Sequence, residues 1–166
     1  MARKLSIDDD RYYSLVELLP QKKISEFVEQ LKEFLLESTS FLQTGKKPGE
    51  LFYSGFMIGL MISLKPIYHF NGELESGKGR ADLILLPKTD RYKHAFIIEY
   101  KVCNKDQTKD LNLEAENGLN QIKEREYNAK VRSHPQIKEI FNLSLAFCGK
   151  EVMAKCEVEE KISERD

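Results

Sequence analysis

"GKGRADLILLPKTDRYKHAFIIEYK", residues 77–101, reads as two apolar strands joined by a polar loop. Each strand carries an acid among apolar neighbours: Asp82 in "RADLILL" and Glu99 in "AFIIEYK". Carboxylates inside a sheet are costly unless a cation or hydrogen bonds compensate them. With residues 87–94 as the loop, antiparallel pairing sets Leu86 opposite Ala95 and, four steps on, Asp82 opposite Glu99. Opposite residues share a face, with Cβ atoms roughly 5 Å apart. Lys101 lies on that same face, roughly 7 Å further along the strand. Leu83, Leu85, Ile98 and Tyr100 on one side, and Ile84, Leu86 and Ile97 on the other, make both strands interior, with cover on both faces.

Two facing carboxylates repel, and one takes up a proton unless positive charge sits between them. Lys101 supplies one charge. A divalent metal supplies two, and hard oxygen ligands suit Mg²⁺ or Mn²⁺. The residues by themselves leave two readings open. One is a structural Asp–Lys–Glu cluster capping a sheet end. The other is a metal-dependent phosphoryl-transfer centre, in which the metal activates water and Lys101 stabilises charge on the phosphate.

Outward from this hairpin, "ISEFVEQLKEFLLE" (24–37) places Ile24, Phe27, Val28, Leu31, Phe34 and Leu35 at helical spacing. "STSFLQTGKKPG" (38–49) is a loop punctuated by Gly and Pro. A second helix begins near Pro48 and stops before Pro66; it is apolar nearly all round, and Gly55 and Gly59 allow close approach. "PIYHFNGEL" (66–74) is a strand with a turn at Asn71-Gly72, and the hairpin strands follow at roughly 80–86 and 95–102. Leu111, Ala115, Leu119 and Ile122 share one face of a helix over 109–131, and residues 141–159 alternate as one or two strands. The order α, α, β, β, β, α, β predicts a mixed sheet with helices packed against it.

The chain has 166 residues, 41% hydrophobic and 32% charged, which suits one globular domain with a real core. A formal net charge of −1 carries no global basic footprint of the kind that coats nucleic acid, and leaves a local basic cleft open. Three cysteines without CxxC spacing and three scattered histidines form neither a disulfide framework nor a zinc site. "MARKLSIDDD" lacks the apolar stretch of a signal peptide, and the uncharged run 51–64 is too short for a membrane span. The expectation is a soluble cytoplasmic protein without membrane contact, or a domain excised from something larger.

The spacing D-x16-E-x-K on a β-hairpin, with a helix before and a helix then a strand after, resembles the PD-(D/E)XK nuclease superfamily. The phrases "ESGKGRADLIL", "IIEYK", "LNQIKEREY" and "AFCGKEV" are similar to one branch, the nuclease-like domains found C-terminal to AAA-ATPase-like regions. The resemblance covers about residues 48–153, and its order of motifs is more specific than any one motif. It implies an α/β fold with a restriction-endonuclease-like αβββαβ core, a mixed central sheet flanked by helices. Residues 1–166 then form a single nuclease-like domain, with a helical extension over 1–45 and the nuclease core over 48–159.

The resemblance also implies roles. Asp82 and Glu99 bind Mg²⁺ or Mn²⁺ with the backbone carbonyl of Tyr100, and Lys101 is the catalytic lysine. A lysine ammonium is charged at neutral pH, so Lys101 positions water and stabilises charge rather than acting as base. Ala81-Asp82 stands where the motif leads with Pro-Asp, which costs no ligand. Gln121 matches the family's glutamine in "QI", and Gly118, Gln121 and Arg125 share a helix face. Glu50 is either an additional acid contacting metal-bound water or a helix-start carboxylate favoured by the macrodipole. Glu75 reads as a solvated turn acid, and Tyr127, six residues past Gln121, as a packing residue turned away from it. Lys78, Arg80, Lys105, Lys109 and Arg125 are candidates for a nucleic-acid cleft, though singly each reads as a solvated charge.

"GELESGKG" (72–79) imitates the start of a P-loop, but Gly79 replaces the magnesium-binding Ser or Thr and a strand follows where a helix must begin. It is a glycine turn. Any AAA-ATPase-like region is a partner or segment outside these residues. The leading function is a metal-dependent nuclease acting on DNA rather than RNA. The alternative is a catalytically inactive nuclease-fold module binding nucleic acid or protein, and a small-molecule phosphohydrolase is a third reading. The intact Asp82–Glu99–Lys101 set favours the first.

Overall fold

The computed structural model describes residues 2–37, 49–71, 82–103, 110–125 and 127–161, with side chains from residue 10 onward. Helices α1 (Ala2–Glu17), α2 (Ile24–Glu37) and α3 (Glu50–Met61, continued by a 3-10 turn at Ile62–Leu64) come first. Strands β1 (Tyr68–Asn71), β2 (Leu83–Pro87) and β3 (His94–Val102) follow, then α4 (Leu111–Glu124), α5 (Tyr127–Arg132), β4 (Glu139–Cys148) and β5 (Glu151–Glu160). The strands form one five-stranded sheet in the order β1-β2-β3-β4-β5. All neighbours are antiparallel except β3 and β4, which are parallel and joined through α4 and α5. This is the α/β architecture expected, a mixed sheet flanked by helices.

Alternation along the strands sorts side chains into two layers. Leu83, Leu85, Phe96, Ile98, Leu143 and Leu145 pack with Leu15, Leu31, Tyr53 and Met57 from the first three helices. Ile84, Leu86, Ala95, Ile97 and Ile140 meet Ile122, Tyr127 and Val131 of α4 and α5 on the other face. Strand β2 is buried throughout and β3 through Tyr100, as expected of interior strands. The hairpin register is also as expected: Leu83 faces Ile98, Ile84 faces Ile97 and Leu85 faces Phe96.

One element differs from expectation, and another takes one of its two expected forms. The helix expected over 109–131 breaks: α4 ends at Glu124, and Arg125 leaves helical geometry at φ −85°, ψ 0° while its amide bonds back to the Gln121 and Lys123 carbonyls. The stretch 141–159 resolves into two strands, with Gly149 taking the left-handed φ of 62° that the turn between them requires. Helices α1 and α2 fall within residues 1–45. The Tyr12 hydroxyl donates to the Leu60 carbonyl at 2.6 Å, tying α1 to α3.

Candidate active site

The site sits where β2 begins and β3 approaches its end, beneath α4. Asp82 lies one residue before β2, so its carboxylate reaches past the strand end rather than pairing within it. Its Oδ2 accepts the Tyr100 backbone N–H at 2.6 Å. In a strand the N–H and C=O of one residue project to the same side. The Tyr100 carbonyl is therefore aimed toward the side that Asp82 occupies. Continuing the observed register one step brings Asp82 to Glu99, on the face covered by α4.

Glu99 is only 3% exposed. Its Oε1 accepts the Gln121 amide N–H, and the Lys101 ammonium stands 3.6 Å from the same oxygen. Lys101 also donates to Gln121 Oε1 at 2.5 Å, so the glutamine amide bridges acid and ammonium. Among the described residues, Glu99 Oε2 is buried without a hydrogen-bond partner. Burial pushes the Glu99 carboxyl up to about 7, the Asp82 charge adds to that rise, and Lys101 and Arg125 oppose it. Asp82 is also raised, first by burial and then by Glu50, while the Tyr100 N–H, Lys101 and Arg125 hold it down.

Gly118 is what lets α4 lie this close. A Cβ there would stand 2.1 Å from Ser144 Oγ on β4 and 3.3 Å from Lys101 Cγ. Ser144 is the register partner of Glu99 on the parallel strand. The glycine thus allows Gln121, three residues on, to reach the acid and the lysine together.

The residues singled out from sequence fall into three groups. Asp82, Glu99, Lys101 and Gln121 converge, and the Tyr100 backbone joins them. Glu50, first residue of α3, is near enough for its charge to act on Asp82, and Arg125 is near enough to act on both acids. Lys78, Arg80, Lys105, Lys109 and Glu75 lie outside the described residues. Tyr127 packs as expected at 1% exposure, but it does not turn away from the site. Its hydroxyl accepts from Arg125 at 3.0 Å, and its charge environment includes Glu99 and Asp82. The break after Glu124 resets the helical phase, so six-residue spacing no longer gives its direction. Ser144 was not legible as a neighbour of the site, because only the parallel register places it beside Glu99.

The amino-acid sequence matches the PD-(D/E)XK nuclease superfamily over residues 48–157. The chain belongs to that superfamily. Comparison with curated proteins and with solved structures returned no significant match. Superfamily membership makes this a nuclease-type fold, of a kind that generally uses divalent metals, and no helix among the described residues is long and apolar enough to cross a membrane.

The PD-(D/E)XK donor set can be tested for fit to a divalent cation. No group of three or more His, Cys, Asp or Glu side chains suited to a metal occurs among the described residues. Two carboxylates and a backbone carbonyl do not require one. A buried carboxylate oxygen lacking a donor, beside a second carboxylate raised by burial, is chemistry that a hard cation satisfies. The residues fit the group.

Proposed function

We infer that this PD-(D/E)XK protein hydrolyses phosphodiester bonds in nucleic acid, DNA before RNA, with Mg²⁺ or Mn²⁺ held by Asp82, Glu99 and the Tyr100 carbonyl. The observation that carries this reading is the unequal use of the Glu99 carboxylate: Oε1 is held by Gln121 while Oε2 is buried and unpartnered. A purely structural ion pair would be expected to satisfy both oxygens. The cation supplies charge neutralisation and an activated water.

The protein's own groups do the rest. Gln121 holds Glu99 and Lys101 in a fixed relation by donating to one and accepting from the other. The Lys101 side chain is 24% exposed, and its ammonium lies 3.6 Å from Glu99 Oε1. Its role is to stabilise phosphoryl charge and orient water. Glu50 supplies a further acid at the rim, and Arg125, with Lys78, Arg80 and Lys105, supplies phosphate contacts. The cytoplasm is the proposed compartment, and an AAA-ATPase-like region outside these residues the proposed companion.

The near-neutral charge of −1 gives the alternative its footing, an inactive nuclease-fold module that binds nucleic acid or protein. The two readings part in a cleavage assay on plasmid, single-stranded DNA and RNA with Mg²⁺, Mn²⁺ or EDTA, beside Lys101→Ala. The nuclease reading expects metal-dependent cleavage that the variant loses. Intact substrates under both metals would leave the inactive module standing.

A further inference from the structure

Two cysteines that lie far apart in the sequence become neighbours in the sheet. Strands β3 and β4 pair in parallel as far as Val102 and Phe147. The Cys103 N–H then donates to the Phe147 carbonyl at 2.8 Å, the bond that carries a parallel ladder one step further, to Cys103 beside Cys148. Both residues are thiols. Alternation along the strands puts them on one face of the sheet, the face that carries Glu99, Lys101 and Ser144.

Neighbouring strands lie about 4.8 Å apart, which sets the two Cα atoms inside the roughly 4.4–6.8 Å span of disulfides. Side by side on parallel strands, the Cβ atoms keep about that separation, whereas a disulfide draws them to about 3.8 Å. A bridge is therefore within reach once the strand ends close by about 1 Å. The place suits such a movement: Cys103 is the first residue past β3, and Cys148 is the last of β4 before the turn at Gly149. A bridge closed against that resistance is readily reduced by other thiols, unlike a disulfide that holds a fold together. Exposure sets the order of events. Cys148 is partly exposed and Cys103 only 6% exposed, so a small oxidant meets Cys148 first.

We propose that Cys103 and Cys148 form a reversible dithiol site oxidised by a peroxide. Cys148 Sγ attacks one oxygen of hydrogen peroxide, the O–O bond breaks, and a sulfenic acid and one water result. Cys103 Sγ then attacks Cys148 Sγ, the S–O bond breaks, and the hydroxide leaves as water with the Cys103 thiol proton. Two thiols and one peroxide give one disulfide and two waters. The proposal stands independently of the nuclease reading.

Trypsin places each cysteine on its own peptide, 102–105, 139–150 and 156–161. Cys156, exposed on β5 beside Leu143, is an internal control, since it stands roughly 17 Å along β4 from Cys148. The dilute full chain is treated with hydrogen peroxide in modest excess, alkylated in urea and mapped by mass spectrometry, with a melting curve to show that it stays folded. Peptide 102–105 should be joined to 139–150 within one chain with the loss of two hydrogens, and dithiothreitol should return both thiols. Peroxide added in urea should abolish the preference for this pair. Cys103→Ser should stop the reaction at a Cys148 sulfenic acid that dimedone traps, and Cys148→Ser should leave Cys103 a thiol. Both thiols still alkylated after peroxide, a bridge to 156–161 in equal yield, a bridge only between two chains, or no sulfenic acid in Cys103→Ser overturns the proposal.

Discussion

Strand β3 carries a buried titratable side chain near each end, on opposite faces of the sheet, and the two are treated in opposite ways. His94, 4% exposed, shares a 2.9 Å hydrogen bond with the Tyr68 hydroxyl and another with the Pro20 backbone, within a nest of Tyr92, Phe96 and Phe141 rings. Burial, with some help from Lys22, pushes its imidazole down to about 4, so it is neutral and its needs are met. Glu99, 3% exposed, keeps one oxygen without a partner and faces a second carboxylate. The fold completes His94, whereas it leaves on Glu99 an oxygen of the kind a hard cation satisfies.

The largest effects should separate the two ends by activity. Glu99→Gln and Asp82→Asn should each lower metal-dependent cleavage by at least about 10²-fold. Each should also raise the melting temperature of the metal-free protein slightly, because like-charge repulsion is removed. His94→Phe should leave cleavage unchanged. A Glu99→Gln protein that melts early and still cleaves would reverse the assignment of the two ends.

Lys101→Met sharpens the comparison further. If the ammonium acts on phosphoryl charge, turnover should fall by about 10²-fold or more with metal affinity and melting temperature largely kept. If it only compensates buried acids, stability should fall by about 3–5 kcal/mol, partly restored by Mn²⁺. Melting curves with and without Mn²⁺, beside a cleavage time course, read both outcomes.

The pH dependence of stability should carry opposite signs from the two ends. Glu99 has a folded value of about 7, raised above its ordinary 4.5, so between these values the folded state holds the extra proton and stability falls as pH rises. His94 has a folded value of about 4, lowered from 6.5, so across that window the unfolded state holds the extra proton and stability rises with pH. In metal-free wild type the two slopes oppose. Glu99→Gln should uncover a rise in denaturation midpoint between pH 4 and 6.5, and His94→Phe a fall between pH 4.5 and 7. Two variants with the same slope would remove one of the groups from the account.

The smaller structural effects follow from completion and fit. His94→Phe should cost about 1–3 kcal/mol, because the buried Tyr68 hydroxyl loses its partner. Gly118→Ala places a Cβ against Ser144 Oγ and should cost about 1–3 kcal/mol while displacing Gln121. Adding Ser144→Gly should recover most of that loss, in melting temperature and in cleavage together. A double variant no better than the single would mean that α4 is held off the sheet by something else.

The amino-acid sequence by itself determined the face and the register of the acids. A strand repeats every two residues, so Glu99 and Lys101 had to share a side, and a polar loop between two apolar runs left little freedom in pairing Asp82 with Glu99. Helical spacing likewise put Gly118, Gln121 and Arg125 on one side of α4. Which elements come together was decided only by the tertiary structure. The parallel pairing of β3 with β4 set Ser144 beside Glu99 and under Gly118. The break at Arg125 returned Tyr127 to the site, and the start of α3 brought Glu50 within range of Asp82. Periodicity is a local property of the backbone and is written in consecutive residues. The distance between residues on different elements depends on crossing angle, helix termination and packing, which arise only when the whole core is assembled.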